Sequence, residues 1–170
     1  EDFNEVVFED VLVPEDRVVG EPGNGWKQVT SELAYERSGP ERFLSAFRVF
    51  VELVRAAGPD PEPALAAAIG RIAAHIATLR RMSISVAGML EGGKSPEVEA
   101  ALVKGLGNDF EKLLPEIARL AADDSPAAAA RFGRFRESLH DTLLLSPSFT
   151  IRGGTREILR GVIARGLGLR

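Results

Sequence analysis

Apolar residues recur along most of this chain with the period of a helix. From Trp26 onward, Val29, Leu33, Phe43, Phe47, Phe50, Val51, Leu53 and Val54 are spaced close to 3.6 residues apart. They predict one long helix from Trp26 to Ala57, closed by Gly58-Pro59. An Ala-rich helix is expected from Pro61 to Glu91, with Gly92-Gly93 as its stop. A third begins behind Ser95, the expected N-cap, with Pro96 in the first turn and Glu97 favoured by the helix dipole. A fourth follows Ser125-Pro126, and a short fifth runs from about Thr155 to Arg165, stopped by Gly166. Four long helices with short connections predict an all-α fold, an up-down four-helix bundle plus a short C-terminal helix.

The first 24 residues follow another pattern. Val and Phe dominate up to Pro14, and Gly, Pro and Asn crowd the end, so a short strand and a loop are expected. A lone strand needs a sheet to join, and no second strand-rich segment follows. The sheet is expected to lie outside this chain, as a piece of a longer protein.

Composition and charge change this picture little. A net charge of −4 with scattered Lys and Arg argues against nucleic acid. There is no cysteine, so no disulfide framework and no thiolate chemistry. His75 and His140 lack ligand spacing, and no metal site is expected. No run of 18 apolar residues and no signal-peptide pattern occur, which leads us to expect a cytoplasmic protein.

Two local features suggest chemistry. An extended stretch is expected to run into Gly153-Gly154-Thr155 at the start of the last helix. First-turn N–H groups lack intrahelical partners, so such a start is either a plain capped turn or a cradle for an anion such as a phosphate. The second feature is "LAYERSGPERF". Pro40 has no N–H to give the carbonyl of Glu36, and Ser38-Gly39 adds a weakness, so the first helix should bend just after Glu36.

Both ends of the chain resemble one family. "FTIRGGTREILRGVIARGLGLR" looks like the closing segment of acyl-CoA dehydrogenases, and "FNEVVFEDVLVPEDRVVGEPGNGWK" is similar to the last strand of their middle β-domain with its entry into the C-terminal helices. The resemblance implies that residues 1–24 are a remnant of that β-domain and that 25–170 form the C-terminal bundle of a flavoenzyme. It implies FAD as cofactor, an acyl-CoA thioester as substrate, and α,β-desaturation as the reaction. Gly154, Thr155 and Glu157 would then face the flavin, and the Gly153 N–H would polarise the thioester carbonyl.

Many members carry the catalytic Glu immediately before the Gly-Thr turn, where this chain has Gly153. A second subgroup carries it in a Glu-Arg pair on the first bundle helix, which Glu36-Arg37 matches. The resemblance thus makes Glu36 the base, a role that suits a carboxylate. From the residues alone Glu36 reads as a solvated helix residue and Pro40 as a tolerated bend; the resemblance is what favours the base. Arg37 would border the acyl pocket, orient the carboxylate, or lie on the surface. The family's bundle is an oligomer core, so a homo-oligomer (dimer or tetramer) or a pair of related subunits is implied. The pattern departs at two flavin contacts. "LVRAAGPDP" lacks the Phe of the usual Arg-x-x-Phe-Gly run, and "LAADDSPAAAARFG" replaces a Gly-Gly-x-Gly-Tyr loop. A related oxidase or monooxygenase, or a non-catalytic partner subunit, are the alternatives.

Overall fold

A computed structural model describes residues 4–122 and 128–169. The chain divides into two compact units, Glu1–Glu32 and Leu33–Arg170. In the first, residues 4–24 form no strand. They are irregular, with one 3-10 turn at Glu15–Arg17, and Val6, Val7, Phe8 and Leu12 are exposed. The expected strand is absent because nothing among the described residues pairs with it.

Among the described residues six α-helices follow: α1 Gly25–Ser38, α2 Phe47–Ala57, α3 Pro63–Glu91, α4 Glu97–Ala121, α5 Ala129–Leu145 and α6 Arg156–Gly166. The single helix expected between Trp26 and Ala57 is therefore two. The chain does not bend after Glu36; it breaks. Gly39 is extended (φ −66°, ψ 154°) and Pro40–Arg42 form a 3-10 turn. Proline disfavours the helical region for the residue before it, which is Gly39. Two carbonyls orphaned by the break find new donors. Ser83 Oγ donates to Ser38 O at 2.6 Å, and Arg42 Nε donates to Glu36 O at 3.2 Å.

α4 starts one residue later than expected. Pro96, not Ser95, holds the N-cap position, and no side chain caps it. Pro115 is accommodated inside the same helix. Ser125-Pro126 lies outside the described residues. The expected extended approach to Gly153 is instead a 3-10 helix, Ser146–Thr150, and a turn.

α2, α3, α4 and α5 enclose one core built on Val49, Leu53, Ile72, Leu79, Phe110, Leu114, Phe132 and Phe135. α6 packs on α4 with Leu159 buried. Of the three phenylalanines at helical spacing, Phe43 is buried, Phe50 half-buried and Phe47 exposed, because the break takes Phe43 out of their common helix. Gly107 lets α4 approach the Pro40–Phe43 turn closely. A Cβ there would lie 2.8 Å from Arg42 O and 3.0 Å from Phe43 Cβ. That contact fixes Arg42 against α4.

Candidate active site

The break that frees the Glu36 carbonyl also brings Arg42 back to it. Besides its bond to Glu36 O, Arg42 donates through Nη2 to Glu36 Oε1 at 2.5 Å. One guanidinium thus holds the backbone and the carboxylate of Glu36. The arginine side chain is 15% exposed and the carboxylate side chain 39%, so Glu36 keeps an open side. Arg37 is buried and its Nε donates to the Gly153 carbonyl at 3.2 Å. The Glu36-Arg37 pair and the glycine turn, 116 positions apart in the chain, therefore meet.

Gly153 and Gly154 have φ of +67° and +106°, conformations that glycine adopts at little cost. A Cβ on Gly153 would lie 3.4 Å from both Arg42 Nε and Lys104 Cε. Thr155 caps α6, its Oγ1 accepting from Ile158 N at 3.5 Å. The Glu157 carboxyl is held below its ordinary pKa, first by its own backbone N–H and then by the Thr155 hydroxyl. The N–H groups of Gly153 and Gly154 have no partner among the described residues. They remain open to a ligand.

Behind the turn lies a row of polar side chains that the sequence reading missed. Lys104, Asn108 and Glu111 sit at i, i+4 and i+7 on α4, and Lys104 and Glu111 are both 0% exposed. Lys104 Nζ donates to Phe149 O at 3.1 Å and to Asn108 Oδ1. Glu111 Oε1 accepts from Ser45 N at 2.9 Å and from Arg152 Nη2 at 3.2 Å. Arg152 also donates to Ser45 Oγ, and its guanidinium stacks 5.0 Å over the Phe149 ring. Burial pushes the Lys104 pKa down from 10.5 to about 8, partly opposed by the Glu111 charge and reinforced by Arg152 and Arg42. A signal was available. On α4, Ala100, Lys104, Gly107, Glu111, Leu114 and Ala118 follow the helical period and all are buried, so two charges stand in a core stripe.

The acyl-CoA dehydrogenase C-terminal domain profile matches residues 23–168. The chain belongs to this family. Among its relatives, acyl-CoA dehydrogenase IpdE1 of Mycobacterium tuberculosis is 30% identical over 99% of this chain and 44% of that protein. Acyl-CoA dehydrogenase FadE26 of the same organism is 32% identical over 98% of this chain and 46% of its own length, and FadE34 is 28% identical over 97% and 22%. The chain thus spans less than half the length of these relatives. For an acyl-CoA dehydrogenase domain, the eroded Arg-x-x-Phe-Gly segment is informative. Arg55 pairs at 2.7 Å with Glu52 on its own helix, and Arg131 of α5 donates to the Ala56 and Ala57 carbonyls at the end of α2. Arg55 and Arg131 are thus engaged by groups of this chain, beside an open cavity of about 530 Å³ that they line with Gly58 and Phe135. The described helices include none long and apolar enough to cross a membrane.

Proposed function

We propose that this domain belongs to an FAD-dependent acyl-CoA dehydrogenase that introduces a double bond α,β to a thioester, with Glu36 as the base. One observation carries the reading: Glu36 is held by Arg42 and joined through Arg37 to a glycine turn whose N–H groups are free. A proton α to a thioester is removed by a carboxylate within reach, while donors at the carbonyl oxygen stabilise the charge that develops there. Glu36 takes the first role and the Gly153 N–H the second. Arg37 holds the Gly153 carbonyl, next along the chain from this N–H, and Arg42 fixes the Glu36 carboxylate while one side of it stays open.

FAD fits the start of α6. Two left-handed glycines with unpartnered N–H groups leave the backbone accessible, and the helix dipole favours a phosphate. Gly154, Thr155 and Glu157 would hold it, Thr155 and Glu157 by ordering the first turn. When bound, the flavin supplies the two-electron acceptor. The rest of its cavity would come from a β-domain of which residues 1–24 are the last part, in a cytoplasmic enzyme of fatty acid metabolism. The test is anaerobic mixing of the intact flavoprotein with a panel of acyl-CoA thioesters, which should bleach the flavin. The 170 residues alone should bind no FAD tightly. A yellow fragment with stoichiometric flavin would overturn that part.

α3 carries Ala66, Ala67, Ala73, Ala74 and Ala77 at exposed positions along its length. Small residues allow close approach of another helix, and we expect at least a dimer, joined isologously through the bundle or with a related subunit. Light scattering at micromolar concentration should give a mass of two chains or more. A single-chain mass counts against it.

A further inference from the structure

A fully buried ammonium on a bundle stripe is expensive, and an apolar side chain of similar length would pack there more cheaply. Lys104 nevertheless occupies that place, and apart from Asn108 on its own helix its contacts lead to one feature. Its Nζ reaches the Phe149 carbonyl, and its Cε lies 3.4 Å from the place of a Cβ on Gly153, so it borders the start of any side chain there. We propose that Lys104 is a positioning residue of the thioester site: it ties residues 149–153 to α4 and fills the space beside Gly153 that a long side chain there would need. This rests on the function proposed above.

The loss of a carboxylate at position 153 is then more than a deletion. The left-handed φ of Gly153 favours glycine, and the Lys104 stem and the Arg42 guanidinium, each 3.4 Å from the place of a Cβ, bound the room for a longer side chain. The chain on either side of the Gly153 N–H is held at two points. Arg37 of α1 takes the Gly153 carbonyl, in the peptide that carries the Gly154 N–H, and Lys104 of α4 takes the carbonyl of Phe149 one turn earlier.

Four charged groups act on Lys104, each from a different element. Glu111 lies on its own helix, Arg152 in the turn, Arg42 in the 3-10 segment and Glu36 on α1. Deprotonation leaves an amine with two N–H groups, enough for both bonds, but removes a positive charge that Glu36 and Glu111 feel. The tether therefore survives alkaline pH while the field at Glu36 changes.

The experiment uses the intact flavoenzyme with Lys104→Met and Lys104→Arg. Hydrogen exchange of peptides covering residues 149–155 reads the tether without any turnover. Flavin reduction by a reactive thioester, followed against pH, reads its consequence. In Lys104→Met, exchange in that segment should quicken while that of α2 and α3 stays as in the wild type. Flavin reduction should slow by about 10- to 100-fold, as a misplacement near 1 Å can cause. The wild-type rate should change near pH 8 and the Met variant should lose that step. Lys104→Arg should restore part of the rate. Unchanged exchange in Lys104→Met overturns the proposal, and so does quickened exchange with an unchanged rate and pH profile. A wild type that bleaches with no thioester overturns the function proposed above instead, and exchange alone then decides whether the tether exists.

Discussion

Replacing Glu36 by Gln should slow flavin reduction in the intact enzyme by about 10² to 10⁴, the usual worth of a general base. The substitution is nearly isosteric. A Gln side-chain oxygen still accepts from Arg42 Nη2, and the bond from Arg42 Nε to the residue 36 carbonyl does not involve the side chain. The break between α1 and α2 should therefore persist, and with it the Arg37 bond to Gly153. Flavin content and thioester affinity should change little, because neither depends on the lost charge. The loss should fall on the rate of bleaching and not on the thioester concentration that half-saturates it. That pattern separates a missing base from a missing binding contact. A Gln variant that bleaches at the wild-type rate, on a thioester the wild type accepts, removes Glu36 from the role. A wild type that bleaches on none moves the base to another polypeptide and favours the partner-subunit reading.

The bundle was readable because its helices are long and strongly periodic, the condition in which pattern outweighs propensity. The limits of that method show at the Pro40 break. Periodicity carries across Phe43 and Phe47, so the pattern favours one helix, while the physics of Pro40 points to an interruption. The outcome is a full break, and the site depends on it. In an unbroken helix, positions 36 and 42 lie on different faces. Only the extended Gly39 and the 3-10 turn return Arg42 to Glu36. No local rule supplies that contact, although the orphaned carbonyl it satisfies was predictable.

The N-terminal segment shows the opposite failure. Its composition is that of a strand, and the apolar residues are there, but strand formation needs a partner that the described residues do not contain. Lys104 and Glu111 were legible in principle, as charges on a stripe with Ala100, Gly107, Leu114 and Ala118. What the pattern could not give is their purpose. Their partners Phe149 and Arg152 lie 45 and 41 positions away, and the sequence does not announce the turn that brings them in.

Replacing Glu111 by Gln should destabilise the bundle. Its carboxylate is fully buried, accepts from Ser45 N and from Arg152, and faces the buried Lys104. Glu111→Gln keeps the shape and an acceptor for Ser45 N–H but strands two cations. Breaking a buried pair in this way costs about 3 kcal/mol, partly relieved here because Arg152 is 36% exposed and can turn to water. The urea midpoint should fall accordingly. The pH dependence carries a second signature. In the folded chain Lys104 titrates at about 8, against 10.5 when unperturbed. Between those values the unfolded chain holds a proton that the folded chain has released. Stability from this group therefore rises with pH through that window and is lowest below it. Glu111 raises the folded value, so its removal should lower the Lys104 pKa further and start the rise at lower pH. Lys104→Met should abolish this component. Urea midpoints of the three proteins from pH 6 to 10 test the chain of reasoning: wild type rising above about 8, Glu111→Gln rising earlier from a lower level, Lys104→Met lacking the rise. A Glu111→Gln midpoint equal to that of the wild type across the range would mean that the buried charges do not act on one another.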